Sequence, residues 1–346
     1  MIAIILPPLA AFAVAWTVVR LIRRMAVRLS LIDNPNARSS HRAPIPRGGG
    51  VGIVLGSLVG IAASALTGAG VTSSVAVVLL ATVAVAVVGL VDDVRGVSPG
   101  VRLAVHTTAA IMVVTSVGPL PTLPLPSPLA VTLSAGVAWV LSVIWICAVT
   151  NFFNFMDGID GLAGGQAVAS LSGVVLATWS AEASIVAWCA GAATLGFLIQ
   201  NWPPARVFMG DVGSGFLGFL LAALPLLSPA ARKGDAVLAV AVGLMLFLAD
   251  PFETMARRLV AGESLAQAHR THAYQQFVAV GENAGWASAA LVGVGFTLSV
   301  LGAAAFRNPS LRWPALVIAS CAYFVERGLS RRRDRRQRVV KSMQAR

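Results

Sequence analysis

Residues 151–165 read NFFNFMDGIDGLAGG, a stretch that sets four polar groups at the mouth of an otherwise apolar segment. Asn151, Asn154, Asp157 and Asp160 recur every third residue. On a regular helix each such step turns about 60° backwards, so any three of the four can share one face while Phe152 and Phe153 point elsewhere. Gly158 and Gly161 let the backbone come close to a bound group and bend around it. A lone D-G-x-D-G between two membrane spans is ordinarily a polar loop. Two amides and two acids in one register, with further acid clusters elsewhere in the chain, point instead to a binding site.

The chain around this stretch is apolar. Its 346 residues are 57% hydrophobic and 12% charged, with a mean hydropathy of +0.81, far outside the range of globular proteins. Eleven apolar runs come near the roughly 20 residues that cross a bilayer as helix. They lie at about 2–19, 51–70, 74–91, 102–118, 129–149, 163–180, 184–200, 213–229, 236–252, 284–305 and 313–329. The expected fold class is therefore all-α, a polytopic transmembrane bundle of about eleven spans. Residues 1–330 form a single membrane domain and residues 331–346 a basic tail. The first apolar run has no basic residue ahead of it and several behind it, the pattern of a retained span rather than a cleaved signal.

Lys and Arg in alternate connections set the orientation. One side, with Arg20 to Arg47, Arg95, Arg102, Arg206, Arg257, Arg258, Arg270 and the tail, collects 22 of the 26; Arg232, Lys233, Arg307 and Arg312 make up the other side. The positive-inside rule makes the first side cytoplasmic, which places the N-terminus in the periplasm and the C-terminus in the cytoplasm. A formal charge of +12 borne beside membrane spans speaks for topology and anionic headgroups, not for nucleic acid. Cys147, Cys189 and Cys321 lie far apart in apolar segments and suit packing. Lysine is almost absent, which excludes a P-loop and a Schiff base. Nothing in the sequence fixes an oligomeric state.

Five clusters on the cytoplasmic side carry chemistry. SHRAPIPRGGGVG brings His41, Arg42 and Arg47 before three glycines, where arginines and the free amides of a helix start suit a phosphate; a glycine-ended basic flank is the alternative. In GLVDDVRG, Asp92 and Asp93 close a span, so mutual repulsion and the helix dipole call for a positive partner, either Arg95 or a divalent cation. Asp211, in NWPPARVFMGDVGSGFLGF, is a second candidate ligand for magnesium, accompanied by Asn201 and Arg206, and can equally cap a helix. In AHRTHAYQQ, His269 and His272 can share a helical face with Arg270 nearby. Two histidines make no zinc site, so phosphate or sugar contacts are the better assignment.

With these motifs in order, the chain resembles the polyprenyl-phosphate N-acetylhexosamine-1-phosphate transferases, the WecA/MraY-like superfamily of glycosyltransferase family 4. The resemblance rests on HRAPIPRGGG, GLVDDVRG, NFFNFMDGIDGLAGG, VFMGDVGSGFLG and AHRTHAYQQ. It implies transfer of a sugar 1-phosphate from a UDP-sugar to undecaprenyl phosphate with release of UMP. It also implies magnesium as cofactor, manganese as its substitute, and an active site on the cytoplasmic face of the bacterial inner membrane. By motif position, Asp211 and Asn154 hold the metal, and Asp92, Asp93, Asp157 and Asp160 are the catalytic carboxylates. His41, Arg47, Asn151, Asn154, Arg206, His269, Arg270 and His272 contact substrates. The sparse histidines of HRTHAYQ resemble the branch that starts O-antigen with deoxy-amino sugars. The competing class is an ion-coupled transporter, whose acids belong near the bilayer midplane rather than at one end of the spans.

Overall fold

The computed structural model describes residues 2–33, 44–68, 71–263, 272–278 and 284–344. His41, His269 and Arg270 lie outside them. The described chain is an all-α bundle: α1 Ile2–Met25, α2 Gly50–Leu66, α3 Ser73–Arg95, α4 Pro99–Val117, α5 Ala135–Phe155, α6 Leu162–Ala177 and α7 Ala181–Asn201. There follow α8 Asp211–Ala223, α9 Lys233–Gly243, α10 Met245–Val260, α11 Ala273–Val278, α12 Ala284–Arg307 and α13 Arg312–Gln344. A two-residue antiparallel ribbon, β1 Ile32–Asp33 with β2 Ile45–Pro46, leads into α2.

Each of the eleven expected stretches contains helix, yet they are not eleven equal spans. Six helices are long and apolar enough to cross a membrane. A seventh crossing arises if the pair 211–227 and 230–243, bent by 119°, is one broken span. The others differ for visible reasons. Helices α2 and α6 have 17 and 16 residues, and α10 and α13 carry the charges Asp250, Glu253, Arg257, Glu326 and Arg327. The expected run at 236–252 straddles a break at Leu244 between α9 and α10.

Small residues bring the helices together, as in other bilayer proteins. Gly52, Gly56 and Gly60 lie one turn apart on α2 against Ala11, Ala15 and Val19 of α1; a Cβ on Gly56 would stand 2.5 Å from the Ala11 carbonyl oxygen. One end of the bundle gathers helix ends: Arg23 near the end of α1 donates to Gln200 near the end of α7, Arg102 at the start of α4 to Asp211 at the start of α8, and Ser288 of α12 to the Asp160 carbonyl before α6. Arg327 of α13 donates to Glu253 of α10.

Candidate active site

Helix α8 supplies the centre of the site. Gly210 precedes it with φ +75°, and a Cβ there would lie 2.4 Å from Asp93 Oδ2, so both backbone and space demand glycine. Asp93, buried at 4% exposure, accepts from the amides of Asp211 and Val212 at 3.1 Å each. Its carboxylate therefore caps α8 and holds Asp211 in place, with both oxygens engaged by protein. The positive charge of Arg47, whose side chain is half-buried, acts on Asp93 from the α2 side.

Asp92 faces the other way. Its Oδ1 accepts from the Val97 amide at 2.5 Å, and its Oδ2 lies 2.5 Å from Arg102 Nη1. The same nitrogen is 2.5 Å from Asp211 Oδ2. The positive partner of the acid pair is thus Arg102 at the start of α4, whereas Arg95 is exposed. Helix α4 begins there because the Ser98 hydroxyl accepts from the Val101 amide and Pro99 takes the first position.

The four polar residues of NFFNFMDGIDG do not share a face, since α5 ends at Phe155 and only Asn151 and Asn154 remain helical. Asn154 Nδ2 donates to Asp211 Oδ1 at 3.1 Å and to Ser214 Oγ at 2.8 Å. Its amide oxygen accepts no hydrogen bond among the described residues. Asn151 turns to the Cys147 carbonyl at 2.7 Å, with its Nδ2 3.5 Å from His106 Nδ1. Asp157 lies beyond the helix, half-buried, and its carboxylate accepts no hydrogen bond among the described residues. Burial pushes it up to about 7, helped by the charges of Asp211, Asp93 and Asp160. Asp160 accepts from the Ala205 amide at 2.8 Å and so fastens the 202–210 loop, on which Arg206 is exposed. Asn201 completes the fastening, accepting from the Gly161 amide and donating to the Val207 carbonyl.

Two expectations change. The amides of Gly49 and Gly50 are not free for a phosphate, because they donate to the carbonyls of Phe208 and Met209 at 2.9 and 2.8 Å. Gly49 and Gly50 instead let the start of α2 lie against Phe208, Met209 and the first turn of α8: a Cβ on Gly50 would stand 2.3 Å from Gly213 Cα. His272 is buried rather than presented to a substrate, its Nδ1 3.4 Å from Asp250 Oδ1. Asp250 also accepts from the amides of Ala273 and Tyr274 at 3.0 Å, which anchors α11. Tyr274 then reaches the Phe155 carbonyl at 2.9 Å and fills the space that a side chain at Gly158 would need. The described part of the segment that suggested a deoxy sugar is thus a structural strut.

Residues 75–228 match the family described as Glycosyl transferase family 4, a stretch that contains Asp92, Asp93, Asn154, Asp157 and Asp211. A probable undecaprenyl-phosphate N-acetylglucosaminyl 1-phosphate transferase of Bacillus subtilis is 26% identical over 87% of this chain and 84% of its own. The chain is thus similar to glycosyl transferase family 4 over residues 75–228. An undecaprenyl-phosphate alpha-N-acetylglucosaminyl 1-phosphate transferase of Salmonella typhi is 26% identical over 88% and 85% of the two chains. A phospho-N-acetylmuramoyl-pentapeptide-transferase of Synechococcus elongatus is 36% identical, but over 39% of each chain.

No three His, Cys, Asp or Glu side chains are gathered as a metal cage among the described residues. A hard cation needs no such cage where substrate phosphates and water complete its shell. Asp211, the amide oxygen of Asn154 and the unpartnered carboxylate of Asp157 are oxygen donors of the fitting kind. Sequence reading passed over Arg102, His106, Ser214 and Asp250. Arg102 resembled one more residue of a basic flank, and His106 one histidine in an apolar run. Ser214 follows Asp211 by three residues, one helical turn, which was its available signal.

Proposed function

We propose that this protein transfers a sugar 1-phosphate from a UDP-sugar to undecaprenyl phosphate, the initiating step of O-antigen or another cell-envelope polysaccharide. A phosphate oxygen of the lipid attacks the sugar-bearing phosphorus of the donor, the bond from that phosphorus to the bridging oxygen breaks, and UMP leaves. The lipid phosphate is already ionised, so a strong base is not required. What supports the reading most is the convergence of Asp211, Asn154 and Asp157 at one end of the bundle, within the stretch matched by the family. Acids gathered at one end, and relatives that are transferases, leave the transporter alternative without support.

Magnesium, with manganese as its substitute, supplies charge neutralisation for the diphosphate, held by Asp211 with Asn154. Asp93 fixes Asp211 through the α8 amides. Asp157 stands free for the metal or the diphosphate, and Arg206, exposed beside the loop tied to Asp160, suits the nucleotide. Arg47, His41, His269 and Arg270 are assigned to substrate phosphates by motif position.

The orientation follows the basic residues: eleven crossings of the bacterial inner membrane, N-terminus outside, site and C-terminus inside, with the tail on anionic headgroups. A reporter fused after Arg346 that works only in the periplasm would overturn it. The donor sugar is an N-acetylhexosamine, with UDP-GlcNAc the first to test in view of the relatives' names. The test incubates purified protein with undecaprenyl phosphate and, in turn, UDP-GlcNAc, UDP-FucNAc and UDP-QuiNAc, and identifies the lipid product by mass. A lipid diphosphate carrying the sugar is expected, with the highest kcat/KM for UDP-GlcNAc. Turnover of the deoxy sugars within about 100-fold is compatible, because a pocket discriminates weakly over one hydroxyl. No lipid-linked product from any donor contradicts the assignment.

A further inference from the structure

Arg102 has two carboxylate partners and uses neither as arginine usually does. A guanidinium ordinarily meets a carboxylate through two parallel N–H bonds. Here one nitrogen, Nη1, contacts Asp92 Oδ2 and Asp211 Oδ2 at 2.5 Å each. Arg102 Nε is buried and has no hydrogen-bond partner. The side chain acts as a point charge between two carboxylates from different helices, the manner of a metal ion.

A divalent cation on Asp211 would stand within a few ångströms of this nitrogen, and the two positive charges would repel each other. The guanidinium is not locked in: 23% of the Arg102 side chain is exposed, so it can swing outward from between the carboxylates. The small cavity between it, His106, Asn151, Asn154 and Asp211 has room for about one water. The flanking faces of α3 and α4 expose Val91, Val94, Val101 and Leu103, so a lipid-borne phosphate can reach Arg102 from the bilayer side.

We propose that Arg102 is an internal counter-ion: it holds the position between Asp92 and Asp211 in the substrate-free protein, yields it when a divalent cation binds, and then neutralises the phosphate of the acceptor lipid. The inference rests on Asp211 being a metal ligand. It gives the protein an order of events, with the cation's arrival freeing the residue that receives the acceptor. It also keeps the carboxylates neutralised when no cation is bound.

The experiment titrates Mn2+ into purified full-length protein without substrates, reading free ion by electron paramagnetic resonance for wild type, Arg102→Gln, Asp211→Asn and the double variant. The expected result is binding about tenfold tighter in Arg102→Gln than in wild type, and lost in both variants lacking Asp211. Equal affinity in wild type and Arg102→Gln, with loss in Asp211→Asn, overturns the exchange and leaves Asp211 a ligand. Equal affinity in all four removes Asp211 from the metal site. Steady-state kinetics supply the second arm, with Arg102→Lys, which keeps the charge, guarding against misfolding. KM for undecaprenyl phosphate should rise about tenfold in Arg102→Gln, return toward wild type in Arg102→Lys, and leave KM for the UDP-sugar unchanged. A fall in kcat alone, with both KM values unchanged, contradicts the role at the acceptor.

Discussion

The two ends of the bundle treat charge in opposite ways. At the end away from the site, Lys233 is buried at 4% exposure and donates to the carbonyls of Val117 and Gly118 at 2.5 and 2.9 Å, where α4 closes. Asp235 is held by Arg232 at 2.8 Å and Arg312 at 2.5 Å, and Arg232 also lies over the Phe306 ring. Cations there meet helix C-termini or a shared carboxylate, the placement that favours them, and the end is electrostatically closed. At the site end, Asp92 and Asp211 share Arg102, while Asp93 sits on the α8 amides with Arg47 acting on it from the α2 side. Asp157 has no partner among the described residues. An end built only for stability would not keep that imbalance, so the surplus of negative charge marks where a cation and phosphates belong.

If this contrast is right, substitutions at the two ends should separate activity from stability. Asp211→Asn should lower kcat by at least about 100-fold, more than losing a group that only supports a ligand, with little change in thermal midpoint. Near-normal turnover in that variant would erase the distinction. Asp250→Ala should cost about 3 kcal/mol of stability, since it strands the amides of Ala273 and Tyr274. Activity should fall with it as α11 leaves Gly158, and denaturant melts in detergent alongside turnover would show both. At the closed end, Lys233→Met should cost about 1–2 kcal/mol while kcat per folded molecule stays unchanged. A selective loss of turnover there would mean that the closed end takes part in the reaction.

The smallest effect concerns pH. Asp157 is raised to about 7 in the folded protein from an ordinary 3.8, so the native state binds its proton more tightly than the unfolded chain does. Stability from this group is full below about pH 4 and is lost as pH rises through about 7. In metal-free protein the thermal midpoint should drift down across that window, Asp157→Asn should flatten the drift, and a divalent cation should reduce it. A midpoint rising over the same window, by an amount that Asp157→Asn removes, would contradict the assignment.

Much of this contrast is written in the sequence, and what is missing has physical causes. Apolar run length anticipated most of the long helices, though not the break at Leu244, and spacing singled out Asp92, Asp93, Asn154, Asp157 and Asp211. The common face expected of residues 151–160 failed because helix hydrogen bonding stops at Phe155, an event set by Gly158 and by Tyr274 more than 100 residues away. Arg102 could not be told from its neighbours in a positive flank, because its distinction lies in reaching two carboxylates on other helices. Asp250 reads as a charge near a span end until α11 is seen docked on it. The glycines of RGGG suit a phosphate loop equally well until the Phe208 and Met209 carbonyls are found on their amides.

The most direct test of the central claim is UMP release from undecaprenyl phosphate and UDP-GlcNAc by wild type and Asp211→Asn, each with magnesium and with the ion chelated. The account predicts release in one of the four reactions, wild type with magnesium, and its return when magnesium is restored to the chelated sample. Equal release by wild type with and without the ion, or by Asp211→Asn at the wild-type rate, would show that the surplus of carboxylates at this end of the bundle is not the seat of the reaction.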